Sequence, residues 1–199
     1  MKQTIIAVIC FLCVSSLYIQ AQKINHPSLL YTPQRIQQVK QRMQHEPKLQ
    51  EAWGDIKRTA DEALQKKDFN RLDYLSLAYL MTDNKEYADV IKEILLKTVE
   101  AESWGDVEMM ARIPAWRSQL GMAHKSFLSA VGYDAAYNVM SSSERKKIAE
   151  GLKRLAVEPA LGDWLLEPTR IHSLNSMGHN WWTSCVCQGG ILALSLQNE

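Results

Sequence analysis

The densest run of chemically able side chains lies late in the chain, where Arg170, His172, Asn175, Gly178, His179, Asn180, Trp181 and Trp182 follow one another closely. Gly178 or Asn175 is expected to start a helix there, with His179, Asn180 and both tryptophans in its first turn. Free backbone N–H groups and the positive end of the helix dipole meet at such a place and favour an anionic ligand. Each residue also has a structural role open to it. Asn180 can cap the helix or sit as a buried amide, His179 can be a satisfied structural histidine, and at least one tryptophan suits a core. His172 and Arg170 fall in the preceding loop, where they can reach an anion or stay solvated. Arg117 and His124 sit at the start of an earlier helix and could line the same cleft.

The elements that must position these groups read as helix after helix. Thr32-Pro33 is a start signal, a hydroxyl cap followed by a proline whose missing N–H costs nothing there. Ile36, Val39 and Met43 follow at helical spacing. Pro47 opens a second helix with Leu49, Trp53, Ile56, Ala60 and Leu64 on one face. Leu72, Leu75, Ala78, Tyr79 and Thr82 form a third stripe. Asp83 and Glu86 have capping-box spacing before the stripe Tyr87, Val90, Ile91, Ile94, Leu95 and Thr98. Trp104 to Trp116, with Gly105 and Pro114, reads as a long connection. Leu120 to Met140 is helical, and Ser141 with Glu144 forms a second capping box before Ile148, Leu152 and Leu155. Pro159, Gly162 and Pro168 are expected to break the chain. The fold class is all-α, an array of antiparallel helical hairpins with turns at Thr82–Asn84 and Met140–Ser142, and no known solenoid signature repeats.

The last helix, Trp181 to Leu196, is apolar nearly all round, which suits a helix inside a larger structure. The Gly189-Gly190 pair would let a neighbour approach closely. The chain stops at Glu199 with no further layer to cover this helix. The expectation is therefore an N-terminal portion of a longer protein, or a partner chain on that face.

The start of the chain is an export signal: Lys2, then an apolar run from Ile5 to Leu17, with Ala21 as the last residue removed. The run is shorter than the ~20 residues a membrane span needs. Cys10 and Cys13 lie inside it without the small residues that precede a lipidation site. Residues 1–21 are thus a signal peptide, 22–199 a helical domain, and the location periplasmic or secreted. Loss of Lys2 takes the formal net charge from +1 to neutral, which gives no sign of nucleic acid or anionic membrane as a partner. Cys185 and Cys187 remain; at i and i+2 they point apart, and both are read as small buried residues. No His-Glu-x-x-His or paired-histidine spacing occurs, so no metal and no cofactor is implied.

Gly178-His179-Asn180-Trp181-Trp182, followed by an apolar helix containing glycines, resembles the heparinase II/III-like and alginate-lyase-like polysaccharide lyases. The opening from His26 to Pro33, His-Pro-Ser-Leu-Leu-Tyr-Thr-Pro, is similar to the start of their N-terminal domain, and so is Tyr133-Asp134. The resemblance implies an incomplete α/α toroid completed by a later β-sheet domain. It implies β-elimination beside a uronic acid in an acidic polysaccharide. In that chemistry Asn180 neutralises the carboxylate, and His179 is a second donor or a base-side group. Trp181, Trp182, His172, Arg170, Arg117 and His124 are the candidate substrate contacts. The family's catalytic tyrosine and a further histidine come from later parts that no position here matches, so this fragment alone is expected to be inactive. Tyr133 and Tyr137 fit a core stripe. Two other readings stay open. A glycoside hydrolase would need two carboxylates across a cleft, drawn from Asp106, Glu108, Asp163 and Glu167. A non-catalytic periplasmic glycan-binding protein would need neither.

Overall fold

The computed structural model describes residues 24–166 and 179–199. The signal segment, His172, Arg170, Glu167, Pro168 and the proposed helix starts at Asn175 and Gly178 lie outside them. Among the described residues the chain is all-helical, without a strand. In chain order the helices are α1 (Pro33–Met43), α2 (Pro47–Lys66), α3 (Leu72–Thr82), α4 (Lys85–Thr98), the short α5 (Val107–Met110), α6 (Leu120–Ala136), α7 (Ser142–Leu152), the short α8 (Glu158–Leu161) and α9 (Cys187–Ser195).

The local signals act as their chemistry requires. Thr32 Oγ1 accepts the Arg35 N–H at 3.3 Å with Pro33 behind it. At α7 both halves of the capping box form: Glu144 N–H donates to Ser141 Oγ, and Ser141 N–H to the Glu144 carboxylate. The start of α4 differs from expectation. Asp83 closes α3 in the left-handed region at φ 58°, and Asn84 caps α4 by accepting the Glu86 N–H at 3.1 Å. With only those two residues between them, α3 and α4 pack as an antiparallel pair. Thr82 is exposed and returns its hydroxyl to the Ala78 carbonyl.

Nor does the chain break at Pro159 and Gly162. Helix α7 runs on through a π-helical turn (Lys153–Val157) into α8, and then through another (Gly162–Leu166). The Glu158 N–H bonds five residues back to the Lys153 carbonyl. Pro159 therefore falls where the register has already shifted, and its missing N–H is tolerated as in a first helical turn. The connection between α4 and α6 holds α5, capped by Asp106, which accepts the N–H groups of Glu108 and Met109.

The core gathers Leu72, Leu75, Tyr87, Ile91, Leu95, Tyr133, Ile148, Leu152 and Leu192. Each fully buried leucine contributes roughly 1.5–3 kcal/mol. The central helix is α6, which packs against α3, α4 and α9 and buries most of its residues. The last helix does not take that place. Its Leu192 and Ser195 are buried, but Cys187, Gly190, Ala193 and Leu194 face outward. Small residues decide the difference. Ser126, Ser129, Ala130, Gly132, Ala135 and Ala136 let neighbours close on α6 from several sides. Of the glycine pair in α9, Gly189 lies against α8, where a Cβ would stand 3.3 Å from Ala160, and Gly190 meets nothing within 4 Å. Cys185 is buried as expected and Cys187 is not.

The segment before α1 is fastened to the far end of α6. Asp134 accepts from His26 Nδ1 at 2.6 Å, from the Ser28 N–H at 2.9 Å, from the Leu29 N–H at 2.9 Å and from Ser28 Oγ at 3.2 Å. The His26 ring stacks on Tyr137 with centroids 4.0 Å apart. The two outlying pieces of the resemblance, the His26–Pro33 opening and Tyr133-Asp134, are thus one contact. Asn198 adds two hydrogen bonds to the backbone of Ile24.

Candidate functional site

His179 stands immediately before a helical stretch that begins at residue 180 and passes through a π-helical turn (Trp182–Val186) into α9. The cap is the histidine itself. Its Nδ1 accepts the Trp181 N–H at 3.2 Å, and its carbonyl accepts the Thr183 N–H at 3.2 Å. With Nδ1 spent as an acceptor, the neutral ring carries its proton on Nε2. His179 and Asn180 are both exposed, so an imidazole donor and a carboxamide are open to solvent at consecutive positions of this helix start.

Trp181 braces them from behind. It meets Trp116 edge to face, with centroids 5.3 Å apart and planes at 75°. Both rings are partly buried and pack on a small satellite cluster of the buried Ala123 of α6 and Cys185. An aromatic pair of this geometry is worth about 0.5–1.5 kcal/mol beyond its area. The Arg112 guanidinium covers Trp116 at 4.9 Å. Trp181 is therefore largely a packing residue, whereas Trp182 is half-buried outside that cluster. Burial pushes the Cys185 thiol up to about 11, with the Asp163 charge adding to it, so Cys185 is no thiolate nucleophile at neutral pH.

Arg117 lies next to Trp116 and is engaged with Asp163. Its own N–H and that of Ser118 donate to Asp163 Oδ2 at 2.7 and 2.6 Å, and its Nη1 donates to Oδ1 at 3.0 Å. The start of α6 is thereby tied to the π-helical turn after α8. Burial pushes the Asp163 carboxyl above the ordinary carboxylate value, against the pull of Ser118 and Arg117. His124 is exposed one residue beyond Ala123. It faces the charge of Asp73 on α3, whose carboxyl is raised by burial and partly drawn back by His124 among others.

The structure thus brings His179, Asn180 and Trp181 together with Trp116, and through Trp116 with Arg117. Tyr133 and Tyr137 are buried, and burial together with the Glu199 charge pushes the Tyr133 phenol up, as suits a core residue. Spacing alone could not find Trp116 as partner of Trp181, because the two stand far apart in sequence. Among the described residues no group of three or more His, Cys, Asp or Glu side chains could hold a metal ion, and no helix is long and apolar enough to cross a membrane. No family model matches the chain, and no curated protein is significantly similar to it.

Proposed function

We propose that the chain is the N-terminal helical portion of an exported polysaccharide lyase that cleaves uronate-containing glycans by β-elimination. Its hairpins are read as part of an incomplete α/α toroid. The observation that supports this best is the pairing of His179 and Asn180 as exposed donors at a helix start whose backbone is braced by Trp181 on Trp116.

In this reading the sugar carboxylate lies against the Asn180 amide and the Nε2–H of His179. Both donors strengthen as charge spreads from the α-carbon into the carboxylate. A base removes the C5 proton, the C4–O bond breaks, a C4=C5 double bond forms, and the leaving oxygen takes up a proton. His179 is a donor rather than the base, because its acceptor nitrogen is engaged with the backbone of Trp181. Of the four carboxylates a hydrolase could use, Asp163 is buried and engaged and Asp106 caps α5, whereas Glu108 is exposed and Glu167 lies outside the described residues.

The test incubates the full-length gene product with uronate polysaccharides and follows ultraviolet absorbance of the unsaturated product. Asn180→Ala is expected to lower the rate by about 10²-fold or more, the usual cost of one such donor; an unchanged rate would sink the role of Asn180. New reducing ends without absorbance would assign a hydrolase, and glycan binding without either signal would assign a binding protein.

A further inference from the structure

Away from the Trp116–Trp181 cluster, a groove of about 570 Å³ opens between the ends of α2 and α4 and the flank of α6. That is the size of an ordinary ligand pocket. Its floor is apolar, with Phe69, Ile94, Ala101 and Trp104. Four lysines from three helices and their ends stand around it: Lys66, Lys67, Lys97 and Lys125. Among the described residues Glu93 is the one carboxylate in the lining, and its two oxygens accept from Lys67 Nζ at 2.6 and 2.7 Å. Lys66 lies 4.0 Å from Glu62. Lys97 makes no ion pair among the described residues. Lys125 makes none there either, and lies over the Trp104 ring at 5.8 Å.

Helix electrostatics explain part of this set. Lys66 and Lys97 sit in the last turns of α2 and α4, where a cation offsets the dipole. The same account fails for Lys125, which stands in the second turn of α6, near that helix's positive end. A surplus of cations around an apolar floor fits a ligand with an apolar face and separate single negative charges. Among the described residues no arginine lines the groove, and lysine acts as a point charge where arginine would grip a phosphate with a fork. The hydroxyl of Thr98 adds a polar partner of the kind sugars use.

We infer that this groove is a second binding site, for a short stretch of acidic polysaccharide that rests its C–H faces on the floor and its carboxylates on Lys97 and Lys125. The inference rests on the uronate reading above, and places a holding site on the polymer apart from the residues that would cleave it. The experiment is calorimetric titration of the full chain with hexasaccharides from alginate and from polygalacturonate, at low and high salt. The wild type is expected to bind one of them. The pair Lys97→Glu with Lys125→Glu is expected to bind it about tenfold or more weakly, with affinity falling steeply as salt screens the charges. Lys97→Gln with Lys125→Gln should fall between, and circular dichroism melts check that each variant folds. Unchanged binding in the charge-reversed pair overturns the site. So does absence of binding by the wild type, or equal binding of polyglutamate. Groove-dependent binding, with no ultraviolet product from the full-length gene product, would leave the site standing and remove the lyase reading instead.

Discussion

Two buried aspartates fasten distant pieces of this chain, and they do it with different success. Asp134 receives four donor groups, from His26, from the Ser28 N–H and hydroxyl, and from the Leu29 N–H. Among the described residues Asp163 receives the N–H groups of Arg117 and Ser118 and the Arg117 guanidinium. Burial raises both carboxyls. At Asp134 the bonds from His26, Leu29 and Ser28 overcome it and hold the pKa below the ordinary value. At Asp163 desolvation wins and the pKa stays above it. The partners differ too: the His26 side chain is fully buried, whereas that of Arg117 is 39% exposed. A buried carboxylate thus keeps a depressed pKa only where the hydrogen bonds it receives outweigh the cost of its desolvation.

The largest break in this comparison is Asp134→Ala. It strands a buried histidine and the N–H groups of Ser28 and Leu29, and should cost about 3 kcal/mol or more in urea unfolding. A loss within about 0.5 kcal/mol of zero, the range of an ordinary surface change, would show that the segment before α1 is not held by this carboxylate. Asp163→Ala should cost less, about 2 kcal/mol, because Arg117 can turn to water. The order of the two is the test: an Asp163 variant less stable than the Asp134 variant would reverse the comparison.

Acid separates the same two residues by sign. Asp134 has a depressed pKa when folded, so its stabilisation is complete above the ordinary carboxylate value and is lost as pH falls through the lower folded value. Asp163 has a raised pKa when folded, so its unfavourable charge is fully present above that folded value and is relieved as pH falls through it. Between about pH 7 and about pH 3, Asp134→Asn should therefore flatten the loss of stability on acidification, and Asp163→Asn should steepen it. Unfolding midpoints across that range decide the matter, and equal slopes in both variants would contradict the assignment.

Neither latch was legible from spacing, although its parts were. The His26–Pro33 opening and Tyr133-Asp134 stand out as separate motifs, yet their contact spans about a hundred residues and leaves no periodic trace. Asp163 draws notice only as a carboxylate that might do hydrolysis. By contrast, Thr32-Pro33, the Ser141–Glu144 box and the Ile148, Leu152, Leu155 stripe are read correctly because caps and stripes act within two turns. Errors came where a local signal had two users. Asp83 has the right spacing for a cap, but Asn84 takes the cap while Asp83 ends α3. Pro159 signals a break, but a π-helical turn absorbs it. At the candidate site, His179, Asn180 and Trp181 are contiguous and so were visible, whereas Trp116 was not.

The smallest expected effect concerns a third fastening, at the surface. His179 holds the start of its helix by one bond to the Trp181 N–H, with no burial to strengthen it. His179→Ala should cost only about 0.5–1 kcal/mol, the ordinary value of a lost cap. His179→Asn should restore most of that, because asparagine is among the best residues at this position. The pair of variants then separates two roles that a single substitution confounds. Stability regained in His179→Asn would isolate the cap, and any loss of glycan binding that persists in it would belong to the Nε2–H donor. Binding that returned together with stability would mean that the imidazole only positions Trp181, leaving Asn180 as the donor at this helix start.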